Sequence, residues 1–390
     1  MKKIFLTTIT LLSMASASVF GMYGANSGWI NFLTHGNQFR ARMEQLGFTL
    51  GNDTIKGTFG FFNDGRGAYG SMLSLSSNAS DLYYDFTPTI SMGLAYTSSL
   101  ISVGVGYNAT IGQKWTKNNG KKTEAVVHTP VLVLNAMDNA FRMAIPIQVV
   151  NLTDKIDGVK GSITAVSLDA QFRYYTGLDF LPQIRLYIKY GNYGFQFSGG
   201  GEKFKETFAE SFGFDFRLYF GSMVEEVALQ PYIKLAYNGA LGKQHSKTSV
   251  TALGALDDSV TVANNVYSAA SGGNVDTLTS VYAGGPSSKK GAWDLTLAPV
   301  LGLTANSDVV SLYFEPSLGL KITQPGSATD DKVKEIYSLY WGAYAEIYIT
   351  PLKNLEWYFE ADVSGGDASV KEPPVKFAAS TGITWYLPAL

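Results

Sequence analysis

The chain has 390 residues, with 30 Lys and Arg against 32 Asp and Glu; a formal charge of −2 excludes the basic surface that nucleic-acid binding requires. It has no cysteine, which excludes a disulfide framework and an anchor through a lipidated N-terminal Cys. Charged residues make up 16%, against roughly 25% in soluble domains, while Gly reaches 41 and Tyr and Phe 23 each. A mean hydropathy of +0.04 is too low for a helical membrane protein, but suits a transmembrane barrel, half of whose strand residues face water.

Lys2 and Lys3 precede an apolar run, Ile4 to Met14, and then small residues. The run is too short to span a bilayer and reads as a Sec-type signal peptide, residues 1–21, cleaved after Gly21 (or after Ala17). Residues 22–36 are Gly- and Asn-rich and read as a leading segment, and residues 37–390 as a β-barrel.

Strands begin at Phe39, Ala41 and Met43, continued by Leu46, Phe48 and Leu50 in the opposite parity. That change predicts one strand with a bulge near Gln45. Ile55, Phe59 and Phe61 give a second strand, Asn63–Gly67 a turn, and Tyr69, Leu73 and Leu75 a third strand. A tight hairpin follows, Ile90 to Tyr107 around Ser98 and Ser99, then a pair joined near Asp138 and Asn139. Val166 to Tyr190 shows the pattern best. Val166, Leu168, Ala170, Phe172 and Tyr174 alternate with polar residues, and after a short link Ile184, Leu186, Ile188 and Tyr190 do the same. Period-two alternation is a strand with one apolar and one polar face. Phe208 to Phe220, Val227 to Tyr237, Trp293 to Leu303, Val310 to Leu320, Tyr337 to Ile349, Leu355 to Val363 and Phe377 to Leu387 repeat it.

The expected architecture is therefore all-β, an antiparallel transmembrane β-barrel of about 16 strands, with a range of 14–18. Links after even strands are tight. Those after odd strands are long and polar (77–88, 109–124, 151–162, 193–206, 239–291, 323–334, 364–374), with the link at Asn52 and Asp53 an exception. Tight turns at one end and long loops at the other match an outer-membrane barrel, turns periplasmic and loops outside. The surface loop 239–291 could plug the lumen or hang outside. A soluble secreted β-protein is the alternative. It would carry more charge on its polar faces, and aromatic residues would not gather at strand ends as Tyr174, Tyr175, Trp357, Tyr358, Trp385 and Tyr386 do.

His35, His128 and His245 fall in the leading segment, at a strand start and in the long loop, so no catalytic arrangement or metal cluster is indicated, and no enzyme, cofactor or metal is expected. Gly104 and Gly106 stand in a strand and form no phosphate loop. The candidate lumen-lining residues are Asp169, Arg173, Arg185, Lys189, Asp215, Arg217, Lys234, Glu315, Lys321 and Glu346, together with Glu356 and Glu360. In a water-filled bore such charges set ion preference; they also pair across neighbouring strands and stiffen the wall.

Residues 29–43, from Trp29 through His35, Gly36, Asn37, Gln38 and Phe39 to Met43, with their continuation to Phe61, resemble the start of the mature variable surface proteins of Brachyspira, intestinal spirochaetes. The start Met22-Tyr23-Gly24 resembles theirs too and agrees with cleavage after Gly21. The resemblance implies an abundant, surface-exposed outer-membrane antigen, in contact with outer-membrane lipid, joined with paralogues in a homo- or hetero-oligomer, and met by host surfaces or antibodies. It implies no catalytic residues. The function expected is that of a variable surface antigen and a porin-like passive channel. A non-conducting adhesin or structural surface protein acting through its loops is the alternative.

Overall fold

The computed structural model describes residues 26–42, 45–62, 89–111, 115–116, 122–156, 159–199, 202–224, 227–241, 290, 293–324, 332–365 and 375–387. The expected signal peptide, the predicted turn 63–67 and strand 69–75, His245 and most of the loop 239–291 lie outside them. A 3-10 helix, Asn26–Asn31, comes first. The strands are β1 (Gln38–Arg42), β2 (Gln45–Gly51), β3 (Ile55–Phe62), β4 (Thr89–Tyr96), β5 (Ile101–Ile111), β6 (Trp115–Thr116), β7 (Lys122–Ala136), β8 (Phe141–Ile156) and β9 (Val159–Tyr175). They continue as β10 (Gln183–Gly199), β11 (Glu202–Tyr219), β12 (Ser222–Val224), β13 (Val227–Ala240), β14 (Trp293–Asn306), β15 (Val310–Gln324), β16 (Ile336–Leu352), β17 (Leu355–Gly365) and β18 (Val375–Leu387).

Each strand pairs antiparallel with its neighbours in sequence, and β1 pairs with both β2 and β18. The sheet is thus closed. The short β6 continues β5 against β7, and β12 continues β11 against β13. The eighteen segments less these two leave sixteen wall positions. Closure leaves no open edge, which a chain surrounded by lipid requires.

The tight turns share one end with the start of β1 and the end of β18, since Gln38 pairs with Thr49 and Phe39 with Leu387. Each turn has its own chemistry. Asn52 Oδ1 accepts from the N–H groups of Thr54 and Ile55 at 2.9 and 2.8 Å. The Ser98 hydroxyl accepts from Ile101 N–H at 3.2 Å, and the Ser307 hydroxyl from Val310 N–H at 3.0 Å. Met137, Asp138 and Asn139 adopt φ of 56°, 56° and 65°, a left-handed run that Asp and Asn tolerate.

The first strands depart from expectation. Arg42 pairs with Gln45, so Phe39 to Leu50 forms two strands of a hairpin with only residues 43 and 44 between them, where a bulged single strand was expected. Both arrangements reverse the parity of the apolar residues, so alternation cannot separate them. β3 then pairs directly with β4, so these two strands are neighbours in the wall. The added hairpin also puts the Asn52 turn at the tight-turn end, where it is no exception.

Long connections were expected at 109–124, 151–162 and 193–206. Here strands continue and pair with each other: Ile156 pairs with Val159, and Gly199 with Glu202. β8 to β11 run for 16 to 18 residues, beyond the roughly 9–11 that cross a bilayer. At their far ends the apolar residues change parity, to Ile163 and Ala165 on β9 and to Tyr193, Phe195 and Phe197 on β10, so a pattern followed in one parity stops there while the ladder persists.

The barrel is inside out in polarity. Outward Leu94, Val105, Leu318 and Phe377 are 60, 59, 57 and 71% exposed, while inward Asn108, Gln324, Glu346 and Thr384 are 0–2% exposed. A soluble sheet would pack its apolar faces together, whereas here nothing among the described residues covers them. The aromatic pairs at the strand ends divide between the faces. Tyr174, Trp357 and Trp385 point outward, while Tyr175, Tyr358 and Tyr386 line the bore.

Candidate lumen site

The first feature inside the bore is the leading segment. The 3-10 helix ends in a turn in which the Asn31 carbonyl accepts from Thr34 N–H, His35 N–H and the Thr34 hydroxyl, each at 3.0 Å. The next carbonyls, of Leu33 and His35, both accept from Lys56 Nζ at 2.7 Å. Such orphan carbonyls need a partner wherever water is scarce. Arg142 Nη1 reaches Asn31 Oδ1 and Thr34 Oγ1 at 3.4 Å. Asn37 Oδ1 accepts from Gly51 N–H at 2.8 Å, fixing the exit beside the β2–β3 turn.

Trp29, Ile30 and Phe32 are fully buried, in one cluster with Ala95, Val131, Val133 and Ala144 of the wall. Trp29 and Phe32 meet edge to face at 5.5 Å. The wall gives way to them: a Cβ on Gly93 would lie 2.9 Å from the Trp29 ring, one on Gly104 3.3 Å from Phe32, and one on Gly106 inside the Trp29 contact distance. The leading segment, read from sequence as a lead-in to the barrel, is thus a plug seated inside it. No periodic signal marks so short an element. The trace it leaves is on the wall, where Gly93, Ala95, Gly104 and Gly106 stand small on the inward face of two adjacent strands.

The plug fixes which face is inward, and the register carries that parity around the wall. Asp169, Arg173, Arg185, Lys189, Asp215, Arg217, Lys234, Glu315, Lys321, Glu346, Glu356 and Glu360 all stand on it. The register also aligns the cations. Arg142 faces Arg173, Arg173 faces Arg185, Arg185 faces Arg217, and Arg217 faces Lys234, five consecutive cations across five adjoining strands. Arg142 was not among the predicted residues. It stands at the very start of β8, directly after the turn at 137–140, where too little alternation precedes it to assign its face. Only the pairing with Arg173 shows it as the first rung.

Tyrosines separate the cations. Arg142 lies 4.7 Å from the Tyr175 ring centre, Arg185 4.5 Å from Tyr219, Arg217 4.9 Å from Tyr187 and Lys234 5.7 Å from Tyr340. Asp215 takes two hydrogen bonds from Arg217, Nε at 2.9 Å and Nη2 at 2.7 Å, and lies 3.6 Å from Lys234 Nζ. Carboxylates gather on a neighbouring arc, β15 to β17. Glu346 faces Glu360, Tyr344 donates to Glu346, and Glu315 accepts from Tyr313 and, at 3.0 Å, from Tyr232. β14 separates the two arcs with Thr296, Ala298 and Val300. Basic and acidic sectors of one bore give a field across it, strengthened by the low dielectric of the wall.

His35 is buried beside the plug, with Gln38 Nε2 at 3.3 Å from its Nδ1. Its imidazole is pulled down to about 3 by burial first, then by Arg40, Lys56 and Arg142. His128 lies within β7, not at a strand start, and contacts the Tyr107 hydroxyl. Among the described residues no group of three or more His, Asp or Glu could hold a metal ion.

A family model described as Serpulina hyodysenteriae variable surface protein matches residues 2–386. No curated protein matches. Among solved structures, the copper transporter OprC aligns over 90% of this chain and 51% of its own, at 10% identity and a TM-score of 0.44. CdiB from Escherichia coli aligns over 90% and 62%, at 10% identity and a TM-score of 0.40. The chain thus spans less than two thirds of either protein's length, and likenesses this distant carry no functional weight.

Proposed function

The chain belongs to the Serpulina hyodysenteriae variable surface protein family, matched over residues 2–386, and from that premise we propose a surface-exposed outer-membrane antigen whose lumen passes small solutes. The observation that supports it best is the reversed polarity of a closed wall, apolar and exposed outside, charged inside. Sixteen wall positions are in the range in which barrels keep an aqueous channel. In this reading the chain is exported by the signal peptide 1–21, lies in outer-membrane lipid, associates with copies or paralogues, and shows its loops, 239–291 above all, to host surfaces and antibodies. It has no catalytic role and needs no cofactor.

Single-channel recording of the folded protein in a planar bilayer tests the channel. Uniform conductance steps that vanish on heat unfolding are expected; inserted but silent protein would overturn it. Cleavage within 239–291 by protease added to intact cells tests the surface reading, and the mass of the mature N-terminus tests cleavage after Gly21. The plug favours one second reading, in which Trp29 and Phe32 close the bore and the loops act alone as adhesin or shield. Silence in the bilayer together with cleavable loops would decide for that reading.

A further inference from the structure

We propose that the row Arg173, Arg185, Arg217 and Lys234 is a binding track for a small oxyanion, a phosphate or a carboxylate, inside the bore. This deepens the channel reading and rests on the lumen being reachable by small solutes.

The register makes the row. These four are directly opposed neighbours on β9, β10, β11 and β13, so their charges share one level of the wall. Like charges directly opposed across strands repel and destabilise a sheet unless something compensates them. Compensation here is partial. Asp215 answers Arg217 and Lys234, while Arg185 gives its Nε to the neutral Gln183 Oε1 at 2.9 Å. Among the described residues Arg173 Nε has no hydrogen-bond partner, although Arg173 is only 5% exposed.

The tyrosines take only part of the cations' donors: Tyr187 and Tyr219 share side-chain hydrogen bonds with Arg185 and Arg217 in turn, Tyr175 lies within reach of Arg173, and each guanidinium carries five N–H donors. A guanidinium stacked on a ring engages its face and keeps its in-plane N–H groups, the fork that fits paired oxygens of a carboxylate or phosphate. Arg185 and Arg217 stack this way on Tyr219 and Tyr187. Access comes from the lumen side, where the Arg217 and Lys234 side chains keep 23 and 20% of their surface. Beyond Lys234 the row continues through Ala298 and Gly319, two small residues across which the Tyr340 ring reaches Lys234 at 5.7 Å. A mobile anion supplies the missing negative charge and can step from fork to fork.

The test is calorimetric titration of inorganic phosphate, and separately of succinate, into the full chain folded in detergent. Saturable binding is expected that weakens with added salt and falls about tenfold in Arg185→Gln, the loss of one charge-assisted pair. Lys234→Gln, on a more open side chain, gives the same direction should Arg185→Gln not fold. Glu360→Gln on the acidic arc should leave binding intact. Phosphate binding without succinate binding assigns the track to phosphate, and the reverse to carboxylates. Channel recordings separate the two readings. A conducting protein that binds neither anion, or binds equally well in both variants, overturns the track alone. A silent protein whose binding is lost in Arg185→Gln overturns the channel alone, and a silent protein with no binding overturns both.

Discussion

Trp29 lies over Gly106: the indole of the plug occupies the space a β-carbon on that strand residue would take. The backbone on both sides of Gly106 is held in the β4–β5–β7 ladder and cannot retreat. Gly106→Ala should therefore unseat the plug and leave the wall intact. Burial of Trp29, Ile30 and Phe32 is worth about 1.5–3 kcal/mol per side chain, so the loss is large for the plug and small for the barrel. Amide exchange at Phe32, Thr34 and His35 should rise steeply while β4 and β5 stay protected. Exchange unchanged at those three amides would show that the plug does not depend on this contact.

The same plug should loosen in acid. Docked, His35 is held neutral down to about 3; released, it titrates near its ordinary 6.5. The released form therefore takes up a proton that the docked form refuses. Docking is at full strength above pH 6.5 and weakens as pH falls toward 3, by about a kcal/mol for each pH unit across that window. If the bore conducts, conductance should grow as the medium is acidified through that window, and His35→Gln should flatten the response. An identical acid response in His35→Gln would assign it to other groups.

Alternation made the wall legible and the plug illegible. Val166 to Tyr190 gave β9 and β10 with their facing residues, because one lipid face and one bore face impose period two. Past Tyr190 and before Val166 the apolar residues change parity, to Tyr193, Phe195 and Phe197 and to Ile163 and Ala165, so the alternation breaks and the strand continuations read as loops. Phe39 to Leu50 could not be divided into β1 and β2, since a two-residue hairpin and a bulge reverse parity alike. Inward charges were visible one by one. Their alignment into a row was not, because register is a relation between strands. Nor could Gly104 and Gly106 be read as clearance for Trp29, a residue far earlier in the chain whose place inside the barrel no local pattern records.

The exposed outer face predicts a sharp substitution effect. Leu318 stands mid-strand on β15, pointing out and 57% exposed. Leu318→Arg should cost about 2–4 kcal/mol if that face meets the bilayer midplane. On a water-facing surface the same change would be within about 0.5 kcal/mol. Urea unfolding from lipid vesicles distinguishes the two, and a near-neutral result would exclude a lipid-facing β15.

The acidic arc predicts opposite effects for two neighbours. Glu346 and Glu360 face each other directly across β16 and β17, a like-charge pair that costs stability. Glu346 accepts from the Tyr344 hydroxyl, and Glu360 Oε2 accepts from Ser380 Oγ at 3.2 Å. Glu360→Gln removes the repulsion and keeps an acceptor for Ser380, so it should stabilise by about 0.2–1 kcal/mol. Tyr344→Phe leaves the repulsion and removes a donor to a buried carboxylate, so it should cost about 1.5–3 kcal/mol. With Glu360→Gln already in place, Tyr344→Phe should cost less, because Glu346 then carries less opposed charge and needs the hydroxyl less. The two effects should be non-additive in a double-mutant cycle on the urea midpoint. A destabilising Glu360→Gln would mean that the two carboxylates share a proton or an unseen cation, and that the arc is a held pair in place of a repelling one.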